Sequence, residues 1–366
     1  MIKEMSNFNY YNPTKIYFRP DGVDLIGKII KNDYGFKTVY LVYGSSALKN
    51  KVVDKVTLSL KAEEVEFKEY TGILPNPDIE DVLKMKEECL KLKPELIIAL
   101  GGGSIMDACK LLANLYFYTG NPLDFNKHVV LPLHALPVCT IPTIAASGSE
   151  MSSSCVISSR ETGFKNGFNS DTNYPIFSLI DPTLTYSVNS KQTSYGLVDM
   201  FSHSFERYFS LSNELEPSDM LALSAMKQIV DLSKTVLDNP HDYQARRAVM
   251  ILSTISHNGF TDFGKTKKFI IHAAEHYLSG KYPTLAHGQG IALLLTEFIK
   301  INKSNKDIYD KAIKLGEFIF NADSFEKTIS KIDFWLNSLD IINDIKLLPE
   351  KITDEDIKKA YKYLKV

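Results

Sequence analysis

The first half of the chain alternates between short apolar runs and longer segments with helical spacing. Residues 38–43 and 96–100 are almost wholly apolar and each is followed by a glycine, which is typical of buried parallel strands. Further strands are predicted at 65–70, 138–141 and 176–180, and helices at 48–60, at 79–92 and in the segment after the glycines that runs to about 118. This alternation predicts an α/β domain whose parallel sheet is covered on both faces.

The second half has a different pattern, with few β-rich runs after about residue 187. Apolar residues recur at three- and four-residue spacing in segments 220–237, 245–255 and 290–301, which predicts a helical domain. The change of pattern near Asp181-Pro182 is the best candidate for a domain boundary. We therefore predict an α/β domain over residues 1–185 and an all-α domain over residues 186–366.

Composition narrows the class of protein further. The 366 residues suit about two domains, and 42 basic and 44 acidic side chains leave a formal net charge of −2. A chain so close to neutral is not expected to bind nucleic acid or an anionic membrane. Residues 1–19 are polar and aromatic, no apolar run approaches the roughly 20 residues of a membrane helix, and the four cysteines form no C-x-x-C motif. We predict a cytoplasmic protein.

Three successive glycines follow the predicted buried strand at 96–100. Gly101, Gly102 and Gly103 allow a tight turn with exposed N–H groups, and the helix that follows adds the positive end of its dipole. Both features suit a diphosphate. Met106 stands where the G-x-G-x-x-G fingerprint requires its third glycine, so a strand-to-helix turn whose glycines serve only packing remains the alternative.

A second group of residues has the composition of a metal site. Asp199 and His203 are four residues apart within a predicted helix at 192–209 and share one face of it. His272, His276 and His287 fall within 16 residues of a chain that has only eight histidines. One carboxylate with neutral imidazoles is a ligand set for zinc or iron(II). The spacing does not distinguish His272 from His276 as a ligand, and ordinary core or surface histidines remain the alternative.

Taken together, these motifs resemble the iron-containing (group III) alcohol dehydrogenase family. The resemblance includes GILPNP at 72–77, GGGSxxD at 101–107, SGSE at 147–150, DPTLT at 181–185, DxxxH at 199–203, and HxxxH with a later HG at 272–288. The segments VYG at 42–44 and HAAEH at 272–276 look most like the branch of butanol dehydrogenases and broad-range aldehyde reductases. The resemblance implies a dehydroquinate synthase-like fold, with an N-terminal dinucleotide-binding domain and a helical metal-binding domain.

The resemblance also assigns roles to particular residues. It gives the metal, Fe²⁺ or alternatively Zn²⁺, to Asp199, His203, His272 and His287, and it makes His276 the catalytic residue, for proton relay or nicotinamide positioning. The cofactor contacts would be Gly44, Ser45, Ser46, Asn76, Gly102, Gly103, Ser104, Asp107, Thr143, Ser147 and Lys165. One departure from the family pattern is an extra residue in the loop before His287, which bears on the placement of that ligand.

The activity implied is hydride transfer between nicotinamide C4 and a small, aliphatic alcohol or aldehyde whose oxygen is held by the metal. Gly44 follows the strand at 38–43, where NAD-preferring members of the family carry an aspartate. The chain has no acidic residue there until Asp54, so we predict that NADP(H) is preferred over NAD(H). The resemblance further implies a homodimer or a larger assembly.

Two other classes of function are alternatives to this one. A sugar-phosphate lyase or cyclase of the dehydroquinate synthase type would have the same fold, but it needs a basic cluster for the substrate phosphate. Segment 195–209, around the metal motif, offers only Arg207. The other alternative is a non-catalytic dinucleotide-binding relic, and the presence of every expected ligand residue argues against it.

Overall fold

A computed structural model describes residues 8–210, 217–265 and 269–366, so the first seven residues of the N-terminal segment lie outside the described part. The chain divides into two compact units. The first comprises residues 12–188, and the second comprises residues 189–366 together with 8–11. The boundary predicted from the sequence lies between residues 185 and 186, three residues before this division.

The first unit is built on a six-stranded sheet in which all paired strands are parallel. In spatial order its strands are β1 (Lys15–Phe18), β8 (Phe177–Ile180), β5 (Val138–Pro142), β4 (Leu96–Gly101), β2 (Thr38–Tyr43) and β3 (Glu66–Thr71). A separate antiparallel hairpin is formed by β6 (Ser154–Ser159) and β7 (Phe164–Asn169).

Helices cover both faces of this sheet. They are α1 (Ile26–Lys28), α2 (Ser45–Lys49), α3 (Val52–Ala62), α4 (Ile79–Leu92) and α5 (Gly103–Leu115). Successive side chains of β2 point to opposite faces, so Tyr40 and Val42 join the apolar cluster under α4 and α5. Val39 and Leu41 join the other cluster, which contains the apolar face of α3. This two-sided burial explains why β2 is apolar along its whole length.

The order of the strands reverses between β2 and β4. From β2 the chain moves to β3 on one side, and it then returns to β4 and β5 on the other side. In open α/β sheets such a reversal leaves a crevice at the carboxyl ends of the strands where ligands bind. Gly44 follows β2, and its N–H donates to the carbonyl of Leu100 in β4 at 3.1 Å. The two glycine-containing turns therefore lie side by side at this position.

The second unit is helical. Its helices are α6 (Ser190–Phe209), α7 (Pro217–Asp238), α8 (Tyr243–His257), α9 (Ile270–Lys281), α10 (His287–Ile301), α11 (Lys306–Phe320), α12 (Phe325–Ser338), α13 (Ile341–Lys346) and α14 (Asp354–Tyr363). Helix α6 packs against α7, α8 and α10, and nearly all of its side chains after the first turn are buried. In the part of the chain that is described, no helix combines the length and apolarity needed to cross a membrane.

Candidate active site

Three helices bring imidazole nitrogens to one carboxylate oxygen of Asp199. His203, one turn later on α6, places Nδ1 3.6 Å from Asp199 Oδ1. His272, in the first turn of α9, places Nε2 3.7 Å from the same atom, and His287, the first residue of α10, places Nε2 3.5 Å from it. The structure thus assembles around a single oxygen atom the four residues that the family resemblance assigns to the metal.

The atoms at the centre of this cluster are buried without hydrogen-bond partners. They are Oδ1 of Asp199, Nδ1 of His203 and Nε2 of His272. A buried polar atom left unpaired costs about 1–3 kcal/mol, so a shared cation would relieve several such penalties at once. Metal–ligand bonds of about 2.1 Å separate tetrahedral ligand atoms by roughly 3.4 Å, and the three imidazole nitrogens lie 3.5–3.7 Å from Asp199 Oδ1. The ligand atoms of Asp199, His272 and His287 also lie within 4.8 Å of one another. The residues therefore fit a bound Fe²⁺ or Zn²⁺.

The protonation of two of these histidines follows from their surroundings. Burial, together with the nearby rings of His257 and His272, holds the pKa of His203 well below its ordinary value, so this imidazole is neutral. Burial also lowers the pKa of His272, but Glu206 and Asp199 outweigh that effect and raise the pKa to about 9. Negative charge that stabilises an added proton at His272 also stabilises a metal cation there.

Two buried glutamates hold the far sides of the imidazole rings, and the sequence analysis did not single them out. Glu206 Oε2 is hydrogen-bonded to Nδ1 of His272, and Glu275 Oε2 lies 2.5 Å from Nδ1 of His287. Glu206 is seven residues after Asp199, so it shares the metal-facing side of α6, and that spacing was available from the sequence. Glu275 lies beside His276 in the chain, and nothing in its spacing distinguishes it from a solvated acid.

His276 occupies a different position from His272. Its Nε2 lies 4.0 Å from Glu275 Oε2, and its ring centroid is 5.8 Å from that of His287. The candidate metal cluster containing Asp199 includes His272 and His287, whereas His276 clusters with Glu275 and His287. The geometry therefore supports the assignment of His272 to the metal and leaves His276 at the edge of the cluster.

His257 also lies beside the candidate metal cluster, although the sequence analysis did not single it out. It is the last residue of α8, and its ring lies edge-on to that of His203 with the centroids 4.1 Å apart. The ring of Phe269 packs against it as well. A fifth histidine thus contributes to the surroundings of the candidate metal cluster, and this contact depends on how α8 packs against α6.

The long loop before His287 does not remove that residue from the cluster. Helix α9 ends at Lys281 and α10 begins at His287. Tyr282 anchors the start of the loop by donating its hydroxyl to Asp356 Oδ2 at 2.7 Å. At the other end, Gln289 accepts a hydrogen bond from the N–H of Ala286 at 3.0 Å. The extra residue is accommodated between these two anchors.

The glycine turn after β4 leads directly into α5, whose N-cap is Gly102. A Cβ atom on Gly103 would lie 2.6 Å from Oγ of Ser147, so a larger residue would displace the Ser147 hydroxyl from its position beside α5. The N–H of Thr143, which follows β5, donates to the carbonyl of Gly101 at 3.1 Å. Three predicted cofactor residues, Gly103, Thr143 and Ser147, therefore lie around the start of α5, with Ser104 in its first turn.

Asp107 and Lys110, both on α5, hold the segment 149–156 in place through hydrogen bonds. Asp107 accepts hydrogen bonds from the Ser149 hydroxyl at 2.8 Å and from the N–H of Val156 at 3.0 Å. Lys110 is fully buried and donates to the carbonyls of Ser149, Ser152 and Ser154. Asp107 was predicted to contact the cofactor, and its hydrogen bonds to Ser149 and Val156 give it a part in fixing the shape of this segment.

The remaining predicted cofactor residues lie in two places. Asn76 and Lys165 are far apart in the chain, yet Lys165 Nζ donates to Asn76 Oδ1 at 3.0 Å. Gly44 is the N-cap of α2, and Ser45 and Ser46 begin that helix with exposed side chains. Gly44, Ser45 and Ser46 directly follow β2, at the point where the strand order reverses.

Comparison with known proteins shows to which family this chain belongs. The family model described as iron-containing alcohol dehydrogenase matches residues 13–182. The model described as the C-terminal part of the Fe-containing alcohol dehydrogenase family matches residues 193–362. The chain belongs to the iron-containing alcohol dehydrogenase family. The resemblance inferred from the motifs is thereby confirmed.

Individual relatives agree with the branch that was predicted. The chain is 35% identical over 350 residues to NADH-dependent butanol dehydrogenase A of Clostridium acetobutylicum, covering 93% of this chain and 89% of the relative. It is 28% identical to the NADPH-dependent aldehyde reductase YqhD of Escherichia coli, covering 87% and 81%. A crystal structure of NADH-dependent butanol dehydrogenase A from Thermotoga maritima matches with a TM-score of 0.88, 30% identity and 99% of both chains.

Membership of the family fixes the class of reaction. The chain is an oxidoreductase that acts on alcohols and aldehydes with a nicotinamide dinucleotide, and the predicted fold class is confirmed. A sugar-phosphate lyase or cyclase is not favoured. Such an enzyme would need a basic cluster near the metal motif, and Arg207, the one Lys or Arg of segment 195–209, is buried and paired with Asp262 at 2.5 Å. A non-catalytic relic is not favoured either.

Proposed function

We propose that this enzyme interconverts small aliphatic aldehydes and alcohols, with NADP(H) as cofactor and with a divalent metal held by Asp199, His203, His272 and His287. The observation that carries the proposal is the convergence of three imidazole nitrogens, each within 3.7 Å, on the buried and unpartnered Oδ1 of Asp199. The substrate class is supported by relatives named as a butanol dehydrogenase and an aldehyde reductase.

The chemistry divides between the metal and the protein. Asp199, His203, His272 and His287 would hold a divalent cation, whose positive charge would polarise the carbonyl of an aldehyde substrate. Burial keeps His203 neutral, and the hydrogen bond from Nδ1 to Glu206 leaves Nε2 of His272 directed toward Asp199. His276 is the proposed catalytic histidine, which relays the proton to the product oxygen or positions the nicotinamide.

The residues proposed to bind the cofactor all belong to the first unit. The diphosphate is placed at Gly102, Gly103 and Ser104, because the N-terminus of α5 presents free N–H groups and the positive end of the helix dipole. Preference for NADP(H) is inferred from the end of β2. There, Gly44 carries no carboxylate to repel the 2′-phosphate, and the exposed Ser45 and Ser46 can donate hydrogen bonds to it.

A single set of assays tests this proposal. Protein purified and loaded with Fe²⁺ without exposure to air is mixed with butyraldehyde, and oxidation of NADPH and of NADH is followed separately. We expect butyraldehyde-dependent oxidation that is faster with NADPH and that disappears when a chelator removes the metal. A sugar phosphate serves as the control substrate. Turnover of the sugar phosphate without turnover of butyraldehyde would overturn the proposal.

A further inference from the structure

The buried glutamates Glu206 and Glu275 have no part in the ligand set, yet each lies directly behind one of its histidines. Glu206 is 5% exposed and Glu275 is fully buried. Helix α6 carries Glu206 and helix α9 carries Glu275, so the two carboxyl groups reach the cluster from different elements. Burying a carboxyl group is costly unless it is paired, and in both cases a ring nitrogen provides a partner.

His272 and His287 are held in the same orientation. Each has Nδ1 beside a glutamate: Nδ1 of His272 is hydrogen-bonded to Glu206, and Nδ1 of His287 lies 2.5 Å from Glu275 Oε2, close enough for an ion pair but without hydrogen-bond geometry. Each turns Nε2 to Asp199, at 3.7 Å and 3.5 Å. A neutral imidazole carries one proton, and a carboxylate facing Nδ1 places the proton on that atom, so the lone pair is on Nε2. His203 lacks this arrangement, since its Nδ1 faces Asp199.

We propose that Glu206 and Glu275 are positioning residues that keep Nε2 of His272 and His287 unprotonated and directed at the metal. The inference rests on the metal site of the proposed function. Outer carboxylates of this kind raise the basicity of the ligand and fix the ring orientation, and their loss typically weakens metal binding by about 10–100-fold.

Each glutamate is also fixed in place by the backbone around it. Glu206 Oε1 accepts a hydrogen bond from the N–H of Ile271 at 2.5 Å, so its two oxygens tie α6 to the first turn of α9. A Cβ atom on Gly290 would lie 2.7 Å from Cγ of Glu275, so a glycine in the first turn of α10 makes room for this side chain. The carboxyl groups are therefore held rigidly enough to orient the rings.

The direct test is the affinity for Zn²⁺ of Glu206→Gln and Glu275→Gln, measured by competition with a chromophoric chelator. A glutamine has one acceptor oxygen in place of two, and its amide group can donate to Nδ1 and so move the ring proton to Nε2. We expect each variant to bind Zn²⁺ about 10–100-fold more weakly than the unaltered enzyme. The absorption spectrum of bound Co²⁺ should change as well, because a displaced imidazole alters the coordination geometry.

Asp219→Asn is the matched control. Asp219 is a buried carboxylate of the same unit, but it pairs with Lys265 and Lys311 and not with a histidine of the cluster. This variant should lose stability and keep its affinity for Zn²⁺ within about twofold. If it weakens binding as much as the glutamine variants do, general loss of packing explains the effect and the inference is overturned.

The remaining outcomes separate this inference from the proposed function. Wild-type affinity in both glutamine variants overturns the positioning role and leaves the metal site intact. Absence of Zn²⁺ binding in the unaltered enzyme contradicts the metal site itself. If Glu206→Gln does not fold, Glu275→Gln decides the question alone, since its carboxyl group reaches the cluster from a different helix.

Discussion

Gly288 lies directly against the backbone of Tyr195, and a Cβ atom at this glycine would be only 2.5 Å from the Tyr195 carbonyl oxygen. Tyr195 precedes Asp199 by one turn of α6, and Gly288 follows His287 in the first turn of α10. The absence of a side chain at Gly288 thus lets the two helices approach until His287 Nε2 is 3.5 Å from Asp199 Oδ1. We therefore expect Gly288 to be needed for the close approach of His287 to Asp199.

We predict that Gly288→Ala separates α10 from α6 and lowers metal affinity. Overpacking against rigid backbone costs typically about 1–3 kcal/mol, and part of that cost would appear as lower thermal stability. Metal stoichiometry after dialysis and the unfolding temperature measure the two effects. Gly44→Ala is the control, because its Cβ meets Ile105 at an ordinary 3.4 Å. Full metal retention in Gly288→Ala would refute this account of the helix contact.

His276→Ala should separate catalysis from metal binding. His276 lies against Glu275 at the edge of the cluster, so its loss should leave metal content near normal. Positioned proton transfer contributes about a hundredfold or more, so kcat should fall by at least that factor. Metal analysis and steady-state kinetics on the same sample give both values. A collapse of metal content would instead identify His276 as a ligand.

Gly44→Asp should remove the preference for NADP(H). The position has room for a side chain, and aspartate is a favourable N-cap for α2, so the variant should fold. The new carboxylate would repel the 2′-phosphate of NADPH and accept bonds from the ribose of NADH. We expect the ratio of kcat/KM for NADPH to that for NADH to fall at least tenfold, about 1.4 kcal/mol. An unaltered enzyme tenfold better with NADH would contradict this interpretation of the turn.

Asp356 ties α14 to the end of α9 and should make stability depend on pH. Lys281, Tyr282, Thr353 and Tyr277 all donate to its carboxylate, which holds the pKa of Asp356 far below its ordinary value. Because the folded-state pKa is depressed, this stabilisation is present above about pH 4 and is lost as the pH falls further.

Asp356→Asn should therefore be less stable than the unaltered protein at pH 7, and the difference should shrink at acidic pH. Denaturant unfolding of both proteins between pH 3 and pH 7 measures it. The control variant is Asp231→Asn. Asp231 pairs with Lys227 on an exposed face of α7, so this change should alter the free energy of unfolding little at any pH. A stability difference that does not vary with pH would contradict the role given to the carboxylate.

The sequence predicts the fold well wherever burial is uniform along an element. Strands β2 and β4 were predictable because both of their faces are buried. The candidate ligand pair on α6, Asp199 and His203, was predictable because residues four apart share one face of a helix. The hairpin of β6 and β7 was missed, since its second strand, Phe164–Asn169, contains lysine, glycine and two asparagines in place of an apolar pattern. The predicted helix at 48–60 is interrupted at Lys51, which adopts a φ of 57° between α2 and α3.

The contacts that complete the candidate site could be predicted only in part. Glu206 shares a helix face with Asp199 and His203, so the pattern contained a signal for it. The contact between His257 and His203 arises from the packing of α8 on α6, which no local pattern encodes. The choice between His272 and His276 needed the family resemblance, because both are on α9 and only three-dimensional placement brings one of them to Asp199.

The most direct test of the central claim is the metal content of His203→Ala, with His134→Ala as an exposed control outside the cluster. Both proteins are purified without air, incubated with Fe²⁺, dialysed and analysed for metal and for butyraldehyde reduction. We predict about one Fe²⁺ per chain and normal turnover in His134→Ala, and neither bound metal nor turnover in His203→Ala. Full metal occupancy in His203→Ala would contradict the assignment, and it would favour the neighbouring cluster of Glu275, His276 and His287 as the metal site.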